Sequence, residues 1–231
     1  MRNFYKIILF FLFLIQINTV FPASGKIEGT WQYGLTVDGS PVGGLLVDIK
    51  KDKNEYLTST EMTVTSGSDV TIIKYFHRET LEFKPVKSTS IITTVRGDNV
   101  VKRDILTAEF KGRRVVVTQG AIRNEYSFEE DFYISGNILT MKFIRQGMKT
   151  GLKGKIKYYS PENDPAVLID LEEEIVGVET ADVMGEKLEL IHSVQKTGND
   201  SIIDNYTDKN GVLFKSVFEM NGSSYVLVRI R

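Results

Sequence analysis

The sequence predicts an all-β, mainly antiparallel fold: a curved sheet or half-open barrel with at most one or two short helices. Three observations carry this. Apolar and polar residues alternate through most of the 231 residues, as in Trp31, Tyr33, Leu35 and Val37 against Thr30, Gln32, Thr36 and Asp38. A period of two is the mark of a half-buried strand. Turn-forming clusters punctuate the chain at strand-length spacing, and the chain is long enough to bury a sizeable core without the cysteines it lacks.

Residues 1–24 read as an export signal. Arg2 and Lys6 supply the basic start, and Ile7 to Ile17 form an apolar run broken by Gln16. That run is shorter than the ~20 residues a membrane-spanning helix needs. Small residues follow at positions 23–25, although Phe21 or Pro22 then occupies the −3 position. The alternative is an uncleaved N-terminal anchor. Residues 25–231 are read as one antiparallel β domain, placed by the signal in a bacterial periplasm or outside the cell. A chain without Cys carries no disulfide and cannot take the lipid of a lipoprotein. No second apolar run is long enough to span a membrane.

The strands follow in order. Asp38-Gly39-Ser40-Pro41 separates the Trp31 strand from one carrying Leu45, Val47 and Ile49. Turns at Lys51–Asn54, Ser66–Asp69, Arg96–Asn99 and Lys111-Gly112 divide the strands that come next, and Ser135-Gly136-Asn137 leads into a strand with Leu139, Met141 and Phe143. About nine strands are expected before residue 160. Ser160–Pro165 breaks the pattern, and Pro161 to Glu174 is the place for a short helix with Ala166, Leu168, Ile169 and Leu171 inside. Its acidic end opposes the helix dipole, so it ends early or fails to form. Strands resume with Leu188, Leu190, His192 and Val194, then Ile202–Thr207. Asp208–Gly211 and Asn221-Gly222 make the last two turns.

Chemistry-bearing patterns are few. Loss of Arg2 and Lys6 with the signal takes the net charge from −1 to −3, which gives no electrostatic footprint for nucleic acid. His77 and His192 stand on separate strands without metal-ligand spacing, so no metal and no cofactor is expected. His192 reads as a satisfied core or cavity-wall residue and His77 as solvent-facing. Glu129–Asp131 and Glu172–Glu174 read as solvated turns. Lys102-Arg103 and Arg113-Arg114 read as edge charges, or as a modest anionic-partner site if a hairpin brings them together. A Ser–His–Asp triad is recognised by geometry and has no nominee here.

Aromatic residues recur on the predicted strands. Trp31, Tyr33, Phe110, Phe143, Phe214 and Phe218 are the candidates, by strand phase, for a concave face that binds an apolar, lipid-like ligand or an envelope partner. The structural alternative is that the same rings fill the core, and Trp31 in particular is expected to be buried.

Two segments carry a resemblance. GTWQYGLTVDGSPVGG (29–44) and the stretch from VGVETADVMGEKLELIHSVQKTG to IIDNYTDKNGVLFKSVF (176–218) resemble the opening and closing parts of a group of uncharacterised exported β proteins, some of which precede transglutaminase-like domains. That group is similar to the outer-membrane lipoprotein carrier fold, a half-open barrel wrapped around helices. The resemblance implies a non-enzymatic envelope protein with an apolar concave face. Its motifs are turns, so it carries over no catalytic residue, and the chain has neither a transglutaminase domain nor Cys. A filled-core interaction module is the second function expected, and a hydrolase without a recognisable motif the third.

Overall fold

The structure, a computed structural model, describes residues 28–198 and 201–230; the expected export signal lies outside them. Among the described residues fourteen strands form one antiparallel sheet. They are β1 (Gly29–Val37), β2 (Ser40–Asp52), β3 (Glu55–Ser66), β4 (Asp69–Thr80), β5 (Pro85–Arg96), β6 (Asn99–Lys111), β7 (Arg114–Gln119) and β8 (Ile122–Ser127), then, after helix α1 (Asn137–Arg145), β9 (Lys153–Tyr159), β10 (Leu168–Val183), β11 (Glu186–Thr197), β12 (Ser201–Thr207), β13 (Leu213–Met220) and β14 (Ser223–Arg229). Among the described residues no helix is long and apolar enough to cross a membrane.

The strand order is β8-β7-β6-β5-β4-β3-β2-β1-β14-β13-β12-β11-β10-β9. Every neighbour in this order is also a neighbour in sequence, except that β1 pairs with β14, Tyr33 opposite Arg229 and Val37 opposite Tyr225. The expected turn chemistry is present at the hairpins. Asn221 and Gly222 both take positive φ, 51° and 79°, the conformation that matches a two-residue turn to the sheet's twist.

Alternation then buries one face. Trp31, Tyr33 and Leu35 of β1, Leu45, Val47 and Ile49 of β2, and Tyr225 and Leu227 of β14 belong to one core cluster, with Met62, Ile73, Leu171 and Ile203 from farther round the sheet. The two ends of the sheet, β8 and β9, are not paired with each other. The segment between β8 and α1 seals the gap. Tyr133 N–H donates to Lys157 O at 2.9 Å, Tyr159 N–H donates to Tyr133 O at 2.8 Å, and Phe128 N–H donates to Arg113 O at 3.0 Å. The rings of Phe110, Phe128, Phe132 and Tyr159 meet there with centroids 5.3–5.9 Å apart.

The helix is not where the sequence pattern placed it. Leu168 to Glu174 lie in β10, and Leu139, Met141 and Phe143, expected on a strand, lie in α1. Leu139 and Phe143 are four apart and share one helical face, which enters the core. β9 accepts that face only because position 154 is glycine: a Cβ there would stand 2.6 Å from Leu139 Cδ2 and 3.2 Å from Phe143 Cζ. Lys142 and Arg145 in the last turn suit the helix dipole, and Gly147 at φ 78° turns the chain away.

The basic pairs do not meet. In the β6–β7 hairpin Lys111 faces Arg114, and Lys102 and Arg103 lie beyond the stretch of β6 that β7 pairs. Arg113 instead binds Asp131 at 2.8 Å and Lys102 pairs with Asp104.

Candidate functional site

The six candidate aromatic residues do not line an open groove. Trp31, Tyr33, Phe143 and Phe218 sit in the main core. Tyr33 donates its hydroxyl proton to Leu213 O at 3.3 Å, and Phe218 stacks on Tyr225 at 5.1 Å. Phe214 is half-buried beside the register shift between β12 and β13, with the Arg229 guanidinium 4.9 Å from its ring centre. Phe110 belongs to the separate aromatic cluster at the seam. Phase along a strand identified the inward positions of β1 but could not separate the seam from the main core.

Helix α1 occupies the concave side. Between it and β10–β12 there remains a cavity of about 10 Å³, bordered by Thr140, Phe143, Glu173, Ser193, Thr207 and Gly211. That is room for about one water. Glu173 Oε2 and Thr207 Oγ1 are buried there without a partner among the described residues, the arrangement that an ordered water satisfies.

Polar groups inside the barrel escaped the sequence pattern. Alternation on β4 points Tyr75, His77 and Glu79 inward, opposite Ser90 and Ser88 of β5. His77 is therefore buried, contrary to the solvent-facing expectation. It stacks on Tyr75 at 5.8 Å, and burial pushes its pKa down to about 4. Glu79 accepts a hydrogen bond from Ser135 Oγ at 2.8 Å, while burial pushes its carboxyl up to about 8. Glu162 accepts from Ser160 Oγ at 3.0 Å and is also raised by burial.

The Glu172–Glu174 run is not a turn. It lies in β10 and divides between two faces. Glu172 and Glu174 point outward to Lys155 and Lys153, each at 2.8 Å. Glu173 points inward and accepts from Ser193 Oγ at 2.7 Å, with burial pushing its carboxyl up to about 7. Glu129–Asp131, by contrast, is exposed as expected.

His192 faces the other side of the sheet, near a small cluster with Leu188, Leu190 and Val183. Its Nδ1 lies 2.9 Å from Glu179 Oε1 and its Nε2 2.7 Å from Asp204 Oδ1, and its ring stacks on Tyr206 at 4.8 Å. Partial burial opposes its charge, but the hydrogen bonds of Asp204 and Glu179 outweigh that and raise its pKa. Both ring nitrogens are thus held by carboxylates, and His77 has no hydrogen-bond partner among the described residues. Neither histidine forms the nucleophile–base couple that acyl transfer uses. Among the described residues no group of three or more His, Asp or Glu is placed to hold a metal ion.

An open cleft of about 670 Å³ lies along β9–β11 and reaches α1. Lysines 142, 153, 155 and 196 border it together with Gly154, Glu172, Glu173, Glu174, Val176 and Val194.

No protein-family model and no curated protein matches the sequence. Solved structures do. A β-barrel-like protein of a domain of unknown function from Brucella abortus superposes with a TM-score of 0.63 at 13% identity, covering 87% of this chain and 95% of its own. A protein from Pseudomonas aeruginosa aligns at 11% identity over 81% of this chain and 88% of its own, with a TM-score of 0.38. A Bacteroides fragilis protein inferred to be exported, of YmcC-like fold, aligns at 10% identity over 93% of this chain and 100% of its own, with a TM-score of 0.33. The first likeness supports a β-barrel-like fold, in agreement with the sheet described above.

Proposed function

We propose that this chain is an exported, non-enzymatic protein of a bacterial envelope that acts as an interaction module with a filled core. The observation that carries it is the seating of α1 on the concave face, which leaves about 10 Å³ beside the helix, whereas pockets for small molecules run to roughly 300–1,000 Å³. His192 holds both ring nitrogens against carboxylates and His77 hydrogen-bonds no hydroxyl among the described residues, which supports a role in binding, not turnover. Export is supported by the Arg2/Lys6 start, the Ile7–Ile17 run and the small residues at 23–25. N-terminal sequencing of the exported protein is expected to begin near Ser24 or Gly25, and a start at Met1 overturns a cleaved signal in favour of an anchor.

Fluorescence titration with an uncharged hydrophobic probe tests the filled core. The folded protein is expected to show no saturable uptake, and Phe143→Glu to unfold it. Saturable binding that weakens in a folded Phe214→Glu or Phe143→Glu variant would restore the apolar, lipid-like ligand that the aromatic supply and the carrier resemblance suggested.

A further inference from the structure

We propose that the cleft over β9–β11 binds an amphiphilic organic anion, a molecule with a phosphate or carboxylate head and a short apolar part. This deepens the reading of the protein as a binding module and rests on it.

Cross-strand pairing sets two rows of side chains on the outer face of these strands. Lys155, Glu172 and Lys196 stand side by side, as do Lys153, Glu174 and Val194. In the second row Lys153 and Glu174 neutralise each other at 2.8 Å. In the first, one carboxylate lies between two lysines, and Glu172 bonds Lys155, which also binds Asp170 at 3.1 Å. Lys196 makes no ion pair with a described residue. Neither does Lys142, which α1 contributes to the same cleft. Glu173, which also borders the cleft, turns its carboxyl inward to Ser193 Oγ.

The cleft therefore holds two cations, Lys142 and Lys196, that make no ion pair with a described residue, in a domain whose expected net charge is negative. Ammonium groups that border one recess suit a phosphate or carboxylate by charge-assisted hydrogen bonds. Val176, 43% exposed, and Val194 give the recess an apolar floor. The 670 Å³ volume lies in the range that takes small ligands.

Calorimetric titration of the exported protein with dodecyl phosphate, below its micelle concentration, tests the proposal. Saturable binding is expected that weakens with salt and falls by roughly tenfold in the Lys142→Gln/Lys196→Gln double variant, about 1.4 kcal/mol, at an unchanged unfolding midpoint. Inorganic phosphate is expected to bind more weakly than dodecyl phosphate, because the valine floor is left uncovered. Two further arms identify the source of the head group. Co-sedimentation with phosphatidylcholine vesicles containing about a quarter phosphatidylglycerol assigns a bilayer lipid, and binding of the monomeric amphiphile without co-sedimentation assigns a free molecule. Failure to bind dodecyl phosphate, or binding that ignores both lysines, overturns the anion site. Equal uptake of uncharged dodecyl maltoside, with no dependence on the lysines, overturns the filled-core module as well.

Discussion

Trp31→Ala is expected to lower the free energy of unfolding by about 3–5 kcal/mol, the range for removing a core aromatic residue. Trp31 is 5% exposed. It stands opposite Val47 on β2, in a strand flanked on both sides by hydrogen-bonded neighbours. Its ring folds over Gly29 so closely that a Cβ there would meet Cζ2 at 2.5 Å. Truncation leaves a void that β1 cannot close by moving, because β2 and β14 hold it in register. Urea unfolding measures the change as a midpoint shift at constant slope. Leu46→Ala, on the outer face of the adjacent strand and 43% exposed, is the control and should stay within about 0.5 kcal/mol. A loss under about 1 kcal/mol at Trp31 would mean that the ring is not part of the core.

Stability is expected to rise, on the order of 2 kcal/mol, as the pH falls from 8 to 6.5. Most small proteins lose stability on acidification because their carboxyls are better ionised when folded. Here the buried carboxyls are shifted the other way. Burial holds Glu79 at about 8 and Glu173 at about 7, against an ordinary 4.5, and raises Glu162 as well. Above pH 4.5 the unfolded chain has released these protons while the folded chain retains them. The fold therefore binds more protons, and acid favours it until the unfolded carboxyls protonate too. His192 acts in the same direction: its raised pKa stabilises the fold at low pH, and that contribution disappears as the pH climbs through the folded value. His77 opposes, with a folded pKa of about 4, but at pH 6.5, where the unfolded imidazole is half charged, its penalty is only about 0.4 kcal/mol. Between pH 6.5 and 8 the carboxyls and His192 outweigh it. Glu79→Gln should flatten the slope and raise stability at pH 8 by a few kcal/mol, since the neutral amide has no ionisation to forgo. Urea unfolding at three pH values across the interval measures this. A stability that stays level or increases with pH would show that Glu79 is ionised in the fold.

The strands were legible where alternation coincides with simple chemistry. Trp31, Tyr33 and Leu35 point one way and their neighbours the other, and Asn221-Gly222 marks its hairpin unaided. The helix was not legible, because Leu139, Met141 and Phe143 satisfy a period of two as well as the four-residue spacing of a helical face. Gly136 offers no side-chain cap to mark the helix start. The polar interior was hidden for a related reason. His77, Glu79 and Glu173 hold inward positions on β4 and β10, where a pattern-based reading assigns charged residues to solvent. Ser135 and Ser193, far away in sequence, make the Glu79 and Glu173 positions tolerable. The outer cleft draws Lys142, Lys155, Glu172 and Lys196 from four elements, and no local motif records it.

The pairing of β1 with β14 governs how quickly such a chain can assemble. All other adjacent strands are joined by short hairpins, so their contacts close small loops. Bringing Tyr33 opposite Arg229 closes nearly the whole domain, and the entropy of that closure must be met before its hydrogen bonds return anything. The two halves, β1–β8 and β9–β14, are each a local meander, so this junction is expected to form last. A circular permutant that links β14 to β1 and opens the chain between β8 and α1 would convert the whole sheet into one continuous meander. It would exchange the slowest contact for a hairpin, and its refolding should be faster than that of the natural order.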